Sequence, residues 1–111
     1  MEISFTEEHE ELRQAVRRFL QNESPEAAVR AAMETERGYD GRVWERMASE
    51  MALPGLAVPE AFGGAGLGPV ELAIVMEEMG RVLFCGPYLS TAVLAAGALA
   101  VVAREAGAGL L

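Results

Sequence analysis

The sequence predicts an all-α domain, an orthogonal or up-and-down bundle of about five helices with a Pro/Gly-rich joint between helices three and four. Two observations predict this fold. Apolar residues recur at helical spacing in several segments that begin with good helix caps. Between two of these segments, residues 53–68 contain two prolines, which fix φ, and five glycines, which permit a positive φ. This segment therefore cannot be a regular helix.

The caps and the apolar stripes predict helices over residues 6–22, 25–37, 41–51, 69–83 and 89–103. Thr6 and Asp40 are predicted N-caps, because their side chains accept hydrogen bonds from the first turn of a helix. Pro25 and Pro69 are predicted first helical residues, where a missing N–H costs nothing. The fourth helix is apolar almost all round before Glu77, so we expect it at the centre of the bundle.

The buried faces of the first three helices follow from the same spacing. In the first helix the predicted stripe comprises Leu12, Val16, Phe19 and Leu20. The second helix, with Ser24 as its N-cap, is expected to bury Val29 and Met33. In the third helix the predicted stripe comprises Val43, Trp44, Met47, Ala48 and Met51.

The composition limits the class of protein. The chain has 111 residues, the length of one domain, and its net charge of −8 argues against nucleic acid or an anionic membrane surface as partner. All nine basic residues are arginine, which with abundant alanine and glycine is typical of a GC-rich bacterial genome. Cys85 is the only cysteine, and the first residues lack the apolar core of a signal peptide, so we expect a cytoplasmic protein.

Residues 82–103 carry no charge, and their length alone would admit a transmembrane span. Gly86 and Pro87 interrupt this stretch, and much of it is alanine, glycine, serine or threonine. We therefore expect a helix buried in an assembly and no membrane span. Its small residues would let another backbone or a ligand come close.

Few residues suggest chemistry by themselves. The glycine run at residues 64–68 precedes a helix, as phosphate loops do, but it fits no G-x-G-x-x-G register, and a turn between helices is favoured. Glu77 and Glu78 are adjacent, so on a helix they point about 100° apart and do not share a site. His9 is expected to be exposed and Cys85 to act as a small apolar residue, since neither has metal-ligand or dyad spacing to a partner.

The order of several motifs resembles the N-terminal domain of acyl-CoA dehydrogenases, over essentially the whole chain. The motifs are Thr6-Glu7-Glu8, the helix with Trp44, the Leu53-Pro54-Gly55-Leu56 run leading to Pro59-Glu60-Ala61-Phe62-Gly63-Gly64-Ala65-Gly66, and Val70-Glu71-Leu72 running to Glu77-Glu78-Met79-Gly80. Each motif is weak alone, but their order and spacing are specific. Ala52 departs from the glycine that is usual before this run, and Ala61-Phe62 departs from the commoner Glu-Tyr pair.

The resemblance implies that residues 1–111 are the N-terminal helical domain of a longer enzyme. In the family a β-rich middle domain and a C-terminal helical domain follow, and neither is present here. The implied reaction is FAD-dependent α,β-dehydrogenation of an acyl-CoA thioester. FAD is held mainly by the later domains and the adjacent subunit, and the catalytic glutamate lies in the C-terminal domain. No catalytic, cofactor-binding or metal-binding residue of this chain is therefore assigned.

The resemblance also implies a substrate-binding role for Ser90, Thr91 and Leu94. They fall on the stretch that lines the acyl chain in the family, and Ser90 and Leu94 share a helix face. An equally weighted alternative is that these residues pack against helix four. The implied partners are acyl-CoA, the later domains and a homo- or hetero-oligomer.

Other interpretations of function stay open at this point. The chain could be a free-standing helical module that binds a protein through helix five, a tail-anchored membrane protein, or part of a related flavoenzyme with another substrate. The isolated chain is expected to bind no FAD and to show no dehydrogenase activity. It is also expected to self-associate or bind a hydrophobic dye, because an interdomain surface would be uncovered.

Overall fold

The computed structural model describes residues 6–110, whose α-helices are α1 (Glu7–Glu23), α2 (Glu26–Met33), α3 (Gly41–Met51), α4 (Pro69–Arg81) and α5 (Ala96–Leu110). Two 3₁₀ turns, Leu53–Gly55 and Glu60–Phe62, lie between α3 and α4. A π-helix, Leu89–Ala95, leads directly into α5. None of the described residues forms a β-strand, so the all-α prediction is confirmed.

The core lies where α1 packs against α4 and where α3 meets the first 3₁₀ turn. Its buried cluster comprises Val16, Phe19, Leu20, Val43, Met47, Leu53, Leu56, Val75, Met79, Tyr88 and Ala92. Leu12 and Trp44 are partly buried against this cluster. The predicted stripe of α1 is therefore confirmed, with Leu12 at its edge.

The predicted caps of α1 and α3 are confirmed by their hydrogen bonds. The His9 N–H donates to Thr6 Oγ1 at 3.2 Å, and the Thr6 N–H donates to His9 Nδ1 at 3.1 Å. This reciprocal pair is a capping box with histidine in place of the usual glutamate. The Arg42 N–H donates to Asp40 Oδ1 at 2.9 Å. Pro69 is the first residue of α4, as predicted.

The start of α2 differs from the prediction by one residue. Pro25 occupies the N-cap position and Glu26 is the first helical residue, whereas Ser24 was expected to cap the helix. Ser24 is instead the last residue of the α1 turn, because its N–H donates to Leu20 O at 2.7 Å. Ser24 is thus the buried C-cap of α1 and does not open α2.

The end and the buried face of α2 also differ from the prediction. The helix ends at Met33 and not at residue 37. Thr35 Oγ1 donates to Ala32 O at 2.7 Å, and this local bond competes with the helical ladder. Met33 is 67% exposed, so the buried side of α2 consists of Val29 and Ala32.

The buried stripe of α3 is correct except at one position. Val43 and Met47 are buried and Trp44 and Met51 are half-buried, but Ala48 is exposed. Ala48 lines an open cleft between α3 and residues 63–65, so no side chain covers it.

The fourth helix is less central than predicted. The buried side chains of α4 are Ile74, Val75, Glu78 and Met79. Val70 and Ala73 are exposed, so the apolar first turns leave part of their surface uncovered in this chain. The helix ends at Arg81, two residues before the predicted end, because Leu83 adopts a left-handed backbone conformation with a φ of 54°.

The joint, residues 52–68, is held by its own backbone. The N–H groups of residues 64–68 all donate within the chain, to the carbonyl oxygens of Pro59, Gly55, Val58 and Leu56 and to Glu71 Oε2. The donor–acceptor distances lie between 2.8 and 3.2 Å. A phosphate loop needs N–H groups that point at the ligand. The glycine run is therefore a turn that sets the angle between α3 and α4.

Ala52 ends α3 in the left-handed conformation, with a φ of 53° and a ψ of 25°. The Cβ of alanine strains this conformation, whereas glycine adopts it freely. We expect Ala52→Gly to raise the free energy of unfolding by about 0.5–1 kcal/mol, measured by urea unfolding. Ala48→Gly, the same exchange inside α3, is expected to lower that free energy by about 0.5–1 kcal/mol. A loss of stability in Ala52→Gly would contradict the strain.

The fifth helix begins differently from the prediction and extends further. Residues 89–110, here called the arm, comprise the π-helix Leu89–Ala95 and then α5, which runs past residue 103. Just before the arm, buried Tyr88 donates its hydroxyl hydrogen to Leu53 O at 3.0 Å. This bond fixes the start of the arm to the joint. Within the part of the chain that the structure describes, no helix is both long and apolar enough to cross a membrane.

Candidate functional site

Half of the exposed large apolar side chains among the described residues lie on the arm. Its exposed large side chains, between 51% and 68% exposed, are Leu89, Leu94, Leu99, Val101 and Val102. Apolar residues scattered singly on a surface are ordinary, but a row along one element is typical of a surface that binds a ligand or another domain. The arm is therefore the candidate functional site.

The structure places Ser90, Thr91 and Leu94 together on the π-helix of the arm. Ser90 is exposed, and its Oγ donates to Pro87 O at 3.2 Å. Thr91 is half-buried and its N–H donates to the same carbonyl at 3.0 Å. Leu94 is 60% exposed, whereas Ala92 is buried in the core. Ser90 and Leu94 thus lie on the outer side of the arm.

Two apolar clefts lie beside the arm. One, of about 210 Å³, separates α5 from the joint and is lined by Val58, Pro59, Phe62, Ala96, Leu99, Ala100 and Ala103. The other, of about 240 Å³, is lined by Met76, Met79, Gly80, Leu83, Phe84, Gly86, Tyr88 and Leu89. Neither lining includes Ser90, Thr91 or Leu94. The sequence patterns did not indicate these clefts, because their walls come from segments far apart in the chain.

The main ionic cluster lies between α1 and α4 and is centred on Glu78. The Glu78 side chain is only 2% exposed, and its carboxylate accepts from Arg17 Nε at 2.8 Å, Arg17 Nη2 at 3.0 Å and Arg13 Nη1 at 2.9 Å. Arg81 Nη1 lies 3.5 Å from the same carboxylate. The bonds from Arg17, followed by those from Arg13, hold the pKa of Glu78 below its ordinary value although burial opposes this.

Glu77, next to Glu78, is 63% exposed and meets only the edge of this cluster, through Arg13 Nη1 at 2.9 Å. The two glutamates therefore do not form a carboxylate pair for acid–base chemistry. This agrees with the prediction from the sequence that neighbouring glutamates on one helix do not share a carboxylate site. Which of the two would be buried was not predicted, because it depends on contacts with α1.

His9 is less exposed than the sequence suggested and joins the first turns of α1 and α4. Its Nε2 lies 3.3 Å from Glu71 Oε1, and the Gly68 N–H donates to Glu71 Oε2 at 3.1 Å. The pKa of Glu71 is lowered by its own backbone N–H, by the Gly68 N–H and by His9. The capping role of His9 could have been predicted from its position three residues after Thr6, where a side chain reaches back to the N-cap.

The remaining titratable groups of interest are structural. Cys85 is half-buried, with its Sγ 3.8 Å from Leu83 O and 4.0 Å from Val29 O. Burial raises the pKa of Tyr88 to about 12, so its hydroxyl stays protonated and donates to Leu53 O. Among residues 6–110, no group of three or more histidine, cysteine, aspartate or glutamate side chains could hold a metal ion.

Comparison with known proteins gives a family match over most of the chain. Residues 6–107 match the family model described as acyl-CoA dehydrogenase, N-terminal domain. The acyl-CoA dehydrogenase IpdE2 of Mycolicibacterium smegmatis is 41% identical over 86 residues, which are 78% of this chain and 28% of that protein. IpdE2 of Mycobacterium tuberculosis is 37% identical over 102 residues, 92% of this chain and 32% of that protein. The chain thus spans about a third of the length of these relatives.

Solved structures give the same match. A chain of the ChsE4-ChsE5 complex from Mycobacterium tuberculosis superposes with a TM-score of 0.79 at 31% identity, over 91% of this chain and 28% of that one. A variant of the Tcur3481-Tcur3483 steroid ACAD superposes with a TM-score of 0.68 at 35% identity, over 74% of this chain and 22% of that one. In each case the matched part is a minor fraction of the larger chain.

Proposed function

Because the chain belongs to the family of acyl-CoA dehydrogenase N-terminal domains, we propose that it works as the N-terminal part of a longer FAD-dependent acyl-CoA dehydrogenase. In this proposal the larger enzyme removes hydrogen from the α and β carbons of an acyl-CoA thioester. The C-terminal domain supplies the catalytic glutamate. This chain supplies no catalytic group.

We propose that residues 6–110 do not hold FAD by themselves. The one segment that resembles a dinucleotide loop, residues 64–68, uses every one of its N–H groups within the chain. Without free N–H groups it offers no cradle for the pyrophosphate. We therefore propose that FAD is held by the later domains and the adjacent subunit.

The proposed role of this chain is to form a wall of the acyl pocket. The observation that carries the proposal is the row of exposed apolar side chains on the arm, with Leu94 60% exposed beside exposed Ser90. When an acyl chain packs against such side chains, the apolar surfaces of both leave water, and this favours binding. Ala95 and Ala98 are also exposed, and their small side chains would leave room for a bulky group. The steroid ACAD among the matched structures supports a bulky acyl group as the substrate class.

Leu94→Trp in the full-length enzyme tests the pocket wall. If Leu94 faces the acyl group, the larger side chain should reduce kcat/KM for bulky acyl-CoA by about tenfold or more relative to short acyl-CoA. Steady-state rates with a series of acyl-CoA substrates measure this ratio. Met33→Trp adds the same bulk at an exposed site on α2 and should leave the ratio unchanged. If Leu94 only packs against its own domain, the variant should lose about 1–3 kcal/mol of stability with no change of preference.

The alternative function is a free-standing helical module that binds a protein through the same arm. The exposed apolar row is compatible with it. The reading frame beyond Leu111 separates the two: a continuation with a β-rich domain supports the enzyme, and a stop codon supports the module. We expect the isolated 111-residue chain to bind a hydrophobic dye and to purify without flavin. Stoichiometric yellow flavin in that preparation would contradict the proposal that the later domains and the adjacent subunit hold FAD.

A further inference from the structure

The arm begins with a π-helix of seven residues, Leu89–Ala95. Its hydrogen bonds span five residues, as when the Ala96 N–H donates to Thr91 O. Such helices are rare, and they occur mostly as single turns inside α-helices at functional sites. This one lies between buried Tyr88 and the exposed part of the arm, and it contains Leu94.

A π turn holds about one residue more than an α turn, and the spacing of the inward-facing residues explains why the arm needs it. These residues are buried Tyr88 and Ala92, followed by Ala96, Ala100 and Ala103, which line the cleft against the joint. The first four recur every four residues, and in an α-helix each such step overshoots a full turn by about 40°. By Ala100 an unbroken α-helix would therefore have turned about 120° away from Tyr88. The wider π turn cancels this drift.

The π-helix therefore decides which side chains of the arm face the joint. It brings Ala96 and Ala100 to the cleft beside Phe62, whose lining also includes Leu99. With the same sequence in a continuous α-helix, α5 would rotate by about one residue, or about 100°. Leu99 would then take the place of Ala100 at the joint.

We infer that the π-helix Leu89–Ala95 is a specificity-determining element that sets the size of the acyl group, because its wider turn shapes the outer side of the arm at Ser90 and Leu94 while Ala96 and Ala100 stay at the joint. It holds Ala96 and Ala100 against the joint and leaves Leu94 on the outer side of the arm. This inference rests on the proposed function, which supplies the acyl group on the outer side of the arm.

Deletion of Ala95 in the full-length enzyme tests the inference. Ala95 is exposed, and its removal gives the inward residues the i, i+4, i+7, i+11, i+14 spacing of a regular α-helix. The arm then becomes α-helical throughout, Ala96 and Ala100 keep their positions at the joint, and the outer side at Ser90 and Leu94 changes shape. We expect the ratio of kcat/KM for a polycyclic acyl-CoA to that for butyryl-CoA to change by about tenfold or more.

Deletion of Ala98 is the matched control. Ala98 is also exposed, but it lies in α5 outside the π-helix. Its removal keeps the π turn and rotates Ala100 and Ala103 off the joint, so the Tm of this variant should fall below that of the Ala95 deletion. An active Ala95 deletion with an unchanged substrate ratio overturns the inference. A wild-type enzyme that oxidises no acyl-CoA contradicts the proposed function instead.

Hydrogen exchange of the wild-type enzyme decides the matter if the Ala95 deletion does not fold. The amides of residues 89–95 should exchange more slowly with the polycyclic acyl-CoA bound than with butyryl-CoA bound. Equal protection of this segment by the two compounds, or none, overturns the inference.

Discussion

Glu78→Ala should lower the free energy of unfolding by roughly 3–5 kcal/mol, because it removes the centre of a buried ionic cluster. The Glu78 carboxylate accepts from Arg13 and Arg17 at 2.8–3.0 Å and is nearly inaccessible to water. Its loss removes both acceptors of Arg17 on this carboxylate and one acceptor of the Arg13 guanidinium, which is itself 11% exposed. Urea unfolding followed by circular dichroism measures the loss.

Glu77→Ala is the matched control for this variant. The two glutamates are neighbours on α4 and both accept from Arg13, but Glu77 is 63% exposed. Exposed ion pairs contribute little, so this variant should lose less than about 1 kcal/mol. Similar losses in the two variants would show that burial of Glu78 is not what makes its cluster important.

The same cluster predicts a dependence of stability on pH. The pKa of Glu78 in the folded chain is held below its ordinary value of 4.5, chiefly by Arg17 and then by Arg13. The stabilisation is therefore present above about pH 4.5 and is lost as the pH falls through the lower, folded pKa. The difference in unfolding free energy between wild type and Glu78→Gln should be constant near neutral pH and should shrink in that acidic range. A difference that grows on acidification would contradict this assignment.

Gly64→Ala is the second variant with a large expected effect. A Cβ at residue 64 would lie 2.1 Å from Val58 O and 2.4 Å from Val58 Cβ, far inside van der Waals contact. Val58 O also accepts the Gly66 N–H at 2.8 Å, so the joint cannot move away without losing that bond. We expect a loss of about 3 kcal/mol or complete unfolding of the joint.

Gly80→Ala is the matched control for the joint. Nothing lies within 4 Å of a Cβ at residue 80, which is inside α4. Alanine there should raise the free energy of unfolding by about 0.5–1 kcal/mol, because it reduces the backbone entropy of the unfolded chain. Thermal unfolding of both variants measures opposite shifts of Tm. A Gly64→Ala variant as stable as the wild type would exclude the close packing of the joint.

Sequence reasoning worked where the deciding interactions are local. The caps at Thr6 and Asp40 and the first-turn position of Pro69 depend on neighbouring residues, and all three are confirmed. Ala52 stands where the family has glycine, the usual residue at a left-handed helix end, and the structure gives Ala52 that conformation. The end of α2 was wrong because the side chain of Thr35 offered the backbone a competing bond.

The features that the sequence did not predict depend on distant segments. Glu78 is buried because Arg13 and Arg17 face it from α1, more than sixty residues away. The π-helix forms because Tyr88 must reach Leu53 O while Ala100 must reach the joint, and a regular helix does not satisfy both. The substrate-binding role of Ser90, Thr91 and Leu94 remains a prediction, since the acyl group and the later domains define the pocket.

The half-buried position of Trp44 gives the chain an internal optical probe. Trp44 is the only tryptophan, and it packs against the core cluster. Its indole should emit at shorter wavelength in the folded chain and shift to the red as the core opens to water, so fluorescence can report the unfolding of α3 without a label. In Leu94→Trp the second indole is placed on the exposed arm, and its emission should respond to whatever covers that surface. A Trp44→Phe background would isolate that signal and allow docking of an acyl group or a neighbouring domain to be followed directly.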